Sequence, residues 1–494
     1  MANNLETFKL FNIDYFDEIN IGEINLSKEV LQKLDEKFLR DNKIVPFYED
    51  EKIIKIFISN PTSLKIAEQF QYIFNKEIQI FGTDEENIIK ILNNILEKKL
   101  EEEKTEIEVE NITESGQYEI QDILEKANEV PIIKWVNSII QKAIYKNASD
   151  IHIEPQEQKI NVRLRIDGVL YEEEVLPKNF LQPIISRIKI MSKLDIAEQR
   201  LPQDGKIRIK SSDKEFDIRV SFLPTIFGER VVLRLLDKNQ QFLAFEELGF
   251  LKEDLEIINK ILSYKNGVVF ITGPTGSGKT TTLYSFLMKL KNNKNNIITI
   301  EDPVEYQLNG ISQMNVKPEI NLTFAKGLRH ILRQDPDIIM IGEVRDLETA
   351  EIAVRASLTG HLVFSTLHTN DAVSAITRLI DMGIPSYLIA SSLRAVIAQR
   401  LIRKLCPYCK IKENNIYKSN GCEKCNNIGY KGRIGIFEIL FIDDKIADLF
   451  HYNYYENKLK EYLISKNFKT LYLDGLKKVE MGITTREELL NVIY

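Results

Sequence analysis

The sequence contains no uninterrupted apolar run that approaches the roughly 20 residues needed to cross a bilayer. Its first residues, MANNLETFKL, also lack the basic start and apolar centre of a signal peptide. Positive charge is not in excess, because 66 Lys and Arg face 73 Asp and Glu, a formal net charge of −7. These absences argue against a membrane-spanning, exported or electrostatically DNA-bound protein, and we expect a cytoplasmic one.

Cysteine is also scarce, with four in 494 residues. All four lie in one short window as two Cys-x-x-Cys pairs, Cys406 with Cys409 and Cys422 with Cys425. Two disulfides conflict with a cytoplasmic chain, and a redox pair would not come duplicated. The spacing therefore predicts a Zn²⁺ ion held by four thiolates, with no open position for a reactive water and so a structural role.

No internal repeat is visible, and the chain is too long for one compact core. The pattern of strands, helices and charges predicts a multidomain protein with an N-terminal α/β domain, an α+β, PAS-like second domain and a RecA-like α/β core. The predicted boundaries are 1–100 for the first domain, 101–116 for an acidic linker, 117–240 for the second domain and 241–494 for the core. The core would include the zinc module at about 400–438 and C-terminal helices over 439–494.

Particular segments support this division. In the first domain, short strands at Ile53–Ile58 and Glu77–Phe81 mix with amphipathic helices at Ser27–Leu39 and Glu85–Lys98. In the second, a helix around Trp135 precedes strictly alternating strands, and Asp167-Gly168 predicts a hairpin turn. In the core, the apolar runs VVFIT, IITIE, IIMIG and LVFST predict a sheet that is covered on both faces.

The stretch GVVFITGPTGSGKTT, from Gly267 to Thr281, runs from an apolar strand through a glycine-rich loop into a helix. This is the pattern of a phosphate-binding loop, and it predicts a site for ATP with Mg²⁺. Lys279 is predicted to reach the β- and γ-phosphates and Thr280 to hold Mg²⁺. The alternative is a glycine-rich turn that fits by chance. The predicted nucleotide-binding residues of the loop are Gly273, Pro274, Thr275, Gly276, Ser277, Gly278, Lys279, Thr280 and Thr281.

Three further segments follow predicted core strands. IEDPVEY supplies Glu305, a carboxylate that could orient or deprotonate water, although a solvated acidic turn is the alternative. GEVRD supplies Glu343, where a metal-side acid of a phosphate-loop enzyme is expected, with water-mediated contact because the usual residue is Asp. TGHLVFSTLHTND places His361 and His368 at the two ends of one strand. They could sense the γ-phosphate or couple hydrolysis to movement, or be satisfied structural residues.

The order of these motifs, followed by CPYC and GCEKCNNIGYKGRIGIFEIL, resembles the secretion ATPase superfamily that powers type II secretion and type IV pilus assembly. The resemblance implies hexameric cytoplasmic ATPases in which Glu305 activates water, Glu343 is the Walker B acid, and His361 and His368 form the His box. It also implies nucleotide contacts for four arginines, although the alternating strands alone favour a solvated strand face for Arg219 and Arg234. The four are Arg219 and Arg234 of the second domain and Arg329 and Arg333 of the core.

The resemblance further implies a homohexamer that works with an inner-membrane platform protein and a membrane-anchored docking protein, and that acts on pilin-like subunits indirectly. The tetracysteine module and N-terminal domains favour assembly over retraction. The single N-terminal domain shows no tandem repeat, which puts cyclic di-GMP regulation in doubt. Two alternatives remain open: a nucleotide-gated docking scaffold with little turnover, and a motor that acts on DNA directly, which the acidic balance disfavours.

Overall fold

The computed structural model describes most of the chain from residue 42 onward. The described residues are 8, 13–16, 26, 38–39, 42–50, 52–74, 76–92, 130–211, 214–237, 243–413, 416–451 and 454–494. Two compact units are present, Met1–Ile139 with Gln182–Arg187 and Ile140–Leu181 with Ile188–Tyr494. The predicted acidic linker and most of the predicted helix Ser27–Leu39 lie outside the described residues.

The first unit contains a four-stranded sheet. Its strands are β1 (Tyr15–Phe16), β2 (Ile44–Glu49), β3 (Ile53–Ile58) and β4 (Glu77–Thr83). The strand order is β1-β4-β3-β2, and β3 and β4, both predicted from the sequence, pair in parallel. Helices α1 (Leu64–Glu68) and α2 (Phe70–Phe74) form the crossover that a parallel pair requires. Residues 85–92 are helical, as predicted for the described part of Glu85–Lys98.

The second sheet is antiparallel and has six strands in the order β7-β6-β5-β10-β9-β8. The strands are β5 (Ala148–Pro155), β6 (Lys159–Ile166), β7 (Val169–Pro177), β8 (Gln203–Ser211), β9 (Lys214–Thr225) and β10 (Gly228–Asp237). Helix α3 (Val130–Tyr145) precedes the sheet, and α4 (Leu181–Ser192) lies between β7 and β8 in sequence.

Alternation along β6 explains how this sheet presents two different faces. Its apolar residues Val162, Leu164 and Ile166 are buried, whereas Arg163 and Arg165 between them are partly exposed, as predicted. The predicted hairpin turn at Asp167-Gly168 is confirmed, with φ of 49° and 90° at the two residues. One face is therefore apolar and the other carries charged side chains.

The third sheet has seven strands. They are β11 (Gly267–Thr272), β12 (Ile297–Glu301), β13 (Ser312–Asn315), β14 (Ile338–Ile341), β15 (Leu362–Leu367), β16 (Leu393–Leu405) and β19 (Tyr430–Phe441). The order is β13-β12-β14-β15-β11-β16-β19. All neighbouring pairs are parallel except β16 with β19.

Helices line this sheet and its C-terminal extension, and two separate apolar clusters are buried around the strands. The helices are α5 (Phe245–Leu248), α6 (Lys252–Leu262), α7 (Lys279–Leu290), α8 (Phe324–Ile331), α9 (Leu347–Leu358), α10 (Ala372–Asp381), α11 (Ser386–Ser392), α12 (Asp444–His451), α13 (Glu456–Ser465), α14 (Leu471–Glu480) and α15 (Arg486–Ile493). Every residue of β11, β12, β14 and β15 is buried, which explains why their sequences are mostly apolar.

The cysteines lie in a long hairpin between β16 and β19. This hairpin also contains the short ladder β17 (Ile411–Glu413) with β18 (Ile416–Lys418). None of the helices that the structure describes has the length and apolar content that a bilayer span requires.

Parallel pairing sets the position of the candidate site. The carboxyl ends of β11, β12, β14 and β15 lie along one edge of the third sheet, with Thr272 opposite Leu367 in the ladder. The phosphate loop, Glu305, Glu343 and His368 follow these strand ends in sequence. In an open α/β sheet, ligands bind at this edge.

Candidate active site

The glycines of the predicted phosphate loop adopt a backbone that other residues rarely adopt. Their φ angles are 150° at Gly273, 79° at Gly276 and 88° at Gly278. A Cβ at Gly273 would lie 2.5 Å from the carbonyl oxygen of Gln399. The Oγ of Ser277 is buried without a hydrogen-bond partner among the described residues. A curled loop with an unpaired buried hydroxyl suits a ligand that brings acceptor oxygens, such as a phosphate.

Lys279 is the first residue of α7, and its ammonium lies over the loop. Its Nζ donates to the carbonyl oxygens of Gly273 (2.7 Å) and Pro274 (2.9 Å). Burial lowers the pKa of Lys279 to about 8, although the negative charge of Glu343 acts in the opposite direction. Thr280 follows on the first turn of α7, where backbone N–H groups have no intrahelical acceptor. The loop and helix together can bind an anion.

Glu343 and His368 come together at the same edge. Glu343 lies two residues beyond β14, and its Oε2 is 3.5 Å from Nε2 of His368. Its Oε1 is 2.5 Å from Nη2 of Arg345, and the hydrogen bond from Arg345 to Glu343 raises the pKa of that arginine. The side chain of Glu343 is only 14% exposed. A shielded carboxylate close enough to influence Lys279 can bind Mg²⁺ directly or through water.

Glu305 meets an arginine of the second sheet. Its Oε2 is 2.9 Å from Nη2 of Arg219 on β9. Arg234 lies opposite Arg219 in the β9–β10 ladder, and its Nε donates to Oδ1 of Asp150 at 2.8 Å. This hydrogen bond raises the pKa of Arg234, and the negative charge of Glu305 contributes in the same direction. The structure therefore brings Glu305, Arg219 and Arg234 together.

Three predicted site residues lie away from the phosphate loop, Glu305 and Glu343. His361 lies before β15, at the amino end of that strand, where its Nδ1 is 2.9 Å from the carbonyl oxygen of Ala356. Arg329 pairs with Glu348 at 2.6 Å. Arg333 donates from Nη1 to the carbonyl oxygen of Arg329 at 2.7 Å. Among the described residues, none of the three contacts the phosphate loop.

Two residues of β16 adjoin the loop although the sequence did not single them out. Gln399 is buried, and its Oε1 accepts a hydrogen bond from Oγ1 of Thr282 on α7 (2.9 Å). Nη1 of Arg400 lies 3.2 Å from where a Cβ of Gly273 would be, and burial lowers the pKa of Arg400. The available signal was the polar pair Gln-Arg interrupting the apolar run LRAVIAQRLI.

The four cysteines form a second candidate site within the hairpin. Their Sγ atoms all lie within 4.8 Å of one another. Three of the Sγ pairs are separated by 3.7 to 3.8 Å. A tetrahedral zinc site with Zn–S bonds of about 2.3 Å requires S–S distances of about 3.8 Å. The amides of Cys422 and Gly429 each donate to Sγ of Cys425 at 3.2 Å. The geometry fits a four-thiolate metal site.

The fold and the first site together define a class of protein. A phosphate loop joins a buried parallel strand to a helix, and carboxylates follow neighbouring strands at the same edge. This is the arrangement of a P-loop nucleoside triphosphatase.

Comparison with known proteins identifies the family. The family described as Type II/IV secretion system protein matches residues 125–491, and the MshEN domain matches residues 11–102. The type II secretion system protein HxcR of Pseudomonas aeruginosa is 51% identical over 76% of this chain and 80% of its own length. The type IV pilus assembly ATPase PilB of Myxococcus xanthus is 40% identical over 95% of this chain and 88% of its own length.

Solved structures agree with this result. The pilus retraction motor PilT with bound ADP shares 30% identity, with a TM-score of 0.51 over 72% of this chain and 95% of PilT. The Legionella pneumophila ATPase DotB has a TM-score of 0.56 at 22% identity over 72% of this chain and 94% of DotB, which supports the fold alone. The chain belongs to the type II/IV secretion system protein family and is an ATPase of that family, which confirms the resemblance seen in its motifs.

Proposed function

We propose that this ATPase is a hexameric motor that couples hydrolysis of ATP to the assembly of pilin-like fibres, for type II secretion or a type IV pilus system. The contact between Arg219 of the second sheet and Glu305 of the nucleotide site carries the proposal. Because Arg219 lies on the second sheet and Glu305 lies in the loop that follows β12 of the third, any movement between the two sheets would change the surroundings of Glu305. Hydrolysis and domain movement would thus depend on the same pair of side chains.

The chemical roles follow from position. Lys279 and the amides of the phosphate loop would bind the β- and γ-phosphates. Thr280 and Glu343 would hold Mg²⁺, Glu343 through a water molecule; when bound, this ion neutralises charge on the phosphate oxygens. His368, which contacts Glu343, would report the state of the γ-phosphate. These roles fit the residues that lie together at the carboxyl edge of the sheet.

Glu305 would orient and deprotonate the attacking water. While it pairs with Arg219, its carboxylate is occupied by the guanidinium and would not face a water molecule. When Arg219 and Arg234 move towards the transferring phosphoryl group, they would stabilise its negative charge and free Glu305 at the same time. This coupling would allow turnover only after the two sheets move relative to each other.

His361, Arg329 and Arg333 do not reach this centre within one chain. A nucleotide role for them therefore requires a neighbouring subunit, which the proposed homohexamer would supply. The relatives named as type II secretion and type IV pilus assembly proteins support this assembly role.

The remaining proposals concern partners and organisation. We propose that the motor works at the cytoplasmic face of the inner membrane, on a platform protein and a membrane-anchored docking protein, without direct contact with nucleic acid. The predicted domain boundaries and the PAS-like character of the second domain stay proposals; the six-stranded antiparallel sheet supports the latter. Zn²⁺ in the tetracysteine site is proposed on the fit of the sulfur distances.

The decisive variant is Glu305→Gln, which keeps the shape of the side chain and removes its basicity. We expect turnover of ATP to fall at least about 100-fold, the range of general-base catalysis, while nucleotide binding is retained. Glu319→Gln, at an exposed carboxylate, is the matched control. Both are assayed by phosphate release from the full-length chain, with and without the cytoplasmic part of a platform protein.

Three results would contradict the proposal. Unchanged turnover in Glu305→Gln would remove this residue from catalysis. Nucleotide binding without turnover in the unmodified chain under every condition would favour the docking scaffold. Stimulation of turnover by DNA, with no response to the platform protein, would favour a motor that acts on DNA.

A further inference from the structure

The loop that carries Glu305 is held from one side by the side chain of Gln313 on β13. Nε2 of Gln313 donates to the carbonyl oxygen of Tyr306 at 3.0 Å, one residue beyond Glu305. Its Oε1 accepts from the amide of Leu308 at 2.6 Å. Nε2 also donates to Oε1 of Glu301 at 3.2 Å. One side-chain amide thus binds two backbone groups of the loop and the last residue of β12.

A second side chain of β13 holds the other flank of the loop. Oδ1 of Asn315 accepts from the amide of Val304 at 2.7 Å, one residue before Glu305. The backbone of β13 is itself fixed to β12 by parallel pairing, which matches Asn315 with Glu301. The residues on both sides of Glu305 are therefore tied to one strand by side-chain hydrogen bonds.

Glu301 connects this strand to the helix of the phosphate loop. Its side chain is buried, at 3% exposure for the residue, and the hydroxyl of Tyr284 donates to Oε2. Oγ1 of Thr299 donates to Oε1 at 2.5 Å. Burial raises the pKa of Glu301, and the hydrogen bonds from Thr299, Tyr284 and Gln313 act against this increase. A buried carboxylate with several donors holds its neighbours strongly, because an unpaired donor or acceptor there is costly.

Tyr284 lies on α7, five residues after Lys279, and is fully buried. Its hydroxyl therefore links the helix that follows the phosphate loop to β12, the strand that precedes the loop of Glu305. The complete connection runs from α7 through Tyr284, Glu301 and Gln313 to the backbone of Tyr306 and Leu308. None of these three side chains lies on the phosphate loop itself.

We infer that Gln313, acting with Glu301 and Tyr284, is a positioning residue that sets the location of Glu305 relative to the phosphate loop. The inference rests on the proposed role of Glu305 as the water-activating carboxylate. Displacement of a catalytic group by about 1 Å can reduce a rate about 100-fold, so a hydrogen-bonded brace on the loop matters for turnover. Nucleotide binding should depend little on these hydrogen bonds, because none of the three side chains belongs to the phosphate loop or to Lys279.

The test uses Gln313→Met in the full-length chain, a change that keeps length and removes all three hydrogen bonds. Gln307→Met is the matched control, because Gln307 is exposed in the same loop. We expect kcat to fall at least tenfold in Gln313→Met and to stay within twofold in the control. The dissociation constant for ADP should change less than about threefold. Tyr284→Phe, which removes one hydroxyl, should lower kcat in the same direction even if Gln313→Met folds poorly.

A double-variant comparison separates positioning from general damage. If Gln313 acts through Glu305, Gln313→Met should not reduce the residual rate of Glu305→Gln any further. An equal fall in both backgrounds would overturn the inference, and so would near-normal kcat in Gln313→Met and Tyr284→Phe. If Glu305→Gln itself keeps full turnover, the proposed role of Glu305 fails instead, and the two failures are distinguished by that single variant.

Discussion

We expect Lys279 to make nucleotide affinity depend on pH, because its surroundings lower the pKa of its ammonium. Burial lowers the pKa of its ammonium to about 8 in the chain alone. Phosphate oxygens within reach of Nζ would raise the pKa, since an opposite charge favours the charged form. Below the pKa of the free chain, Lys279 is protonated both before and after the nucleotide binds, so its charge does not make the affinity change with pH. Above it, the free chain has lost a proton that the complex retains.

The magnitude follows from that pKa. Binding should take up about 0.1 proton at pH 7, about 0.5 at pH 8 and about 0.9 at pH 9, by the linkage between proton binding and affinity. Over the same interval the dissociation constant should rise, approaching a factor of about ten per pH unit above pH 8. The phosphates contribute little to this change, since their last pKa is about 6.

Calorimetric titration with Mg²⁺ and ADP measures both quantities. Titrations at pH 7, 8 and 9 in two buffers of different ionisation enthalpy give the number of protons taken up directly. Lys279→Met should bind more weakly and show no proton uptake, which assigns the effect to this side chain. An affinity that stays constant from pH 7 to 9, with uptake below about 0.2 proton at pH 9, would refute the reasoning.

Two further predictions separate stability from activity. Because the paired side chains of Arg219 and Glu305 are each about a third exposed, their ion pair contributes at most about 1 kcal/mol. Arg219→Ala should therefore lower Tm by less than about 3 °C. The same variant should reduce kcat at least about 100-fold if this arginine reaches the phosphoryl group. An unchanged kcat would exclude that role. The unmodified chain should contain about one zinc ion, measured by atomic absorption, and Cys409→Ser should abolish this zinc content. The control Tyr408→Phe, in the same loop, should keep it. An unmodified protein that is folded but contains no metal would contradict the proposed zinc site.

Much of the fold could be predicted because single segments of sequence determine it. The strand β12 was predicted with its observed bounds, since its three isoleucines stand in a short segment between polar stretches. The phosphate loop was recognisable because its glycines need φ angles that other residues rarely adopt. The hairpin at Asp167-Gly168 was predictable for the same reason.

The contacts between distant segments could not be predicted in this way. Arg219 and Glu305 are 86 positions apart, and nothing in either segment indicates that the two sheets meet there. Gln313 lies in a short, half-exposed strand whose sequence has no catalytic signature. Its importance is visible only once the loop folds over it.

His361 and His368 show how the direction of a strand separates the residues at its two ends. The sequence places the two histidines at opposite ends of one strand, and only the carboxyl end of a parallel strand lies at the edge of the sheet where ligands bind. His368 follows β15 and lies there, whereas His361 precedes β15 and lies at the opposite end. The direction of the strand was available from the order of residues.

The hairpin that carries the cysteines begins and ends at one point of the third sheet. Leu405 pairs with Tyr430 in the β16–β19 ladder, and the amide of Cys406 donates to the carbonyl oxygen of Gly429 at 3.0 Å. The chain thus leaves the sheet and returns to it across a gap that a tight turn of a few residues can close. The four-cysteine segment can therefore be gained, lost or exchanged in evolution as a separate insertion that leaves the strand pairs of the third sheet intact.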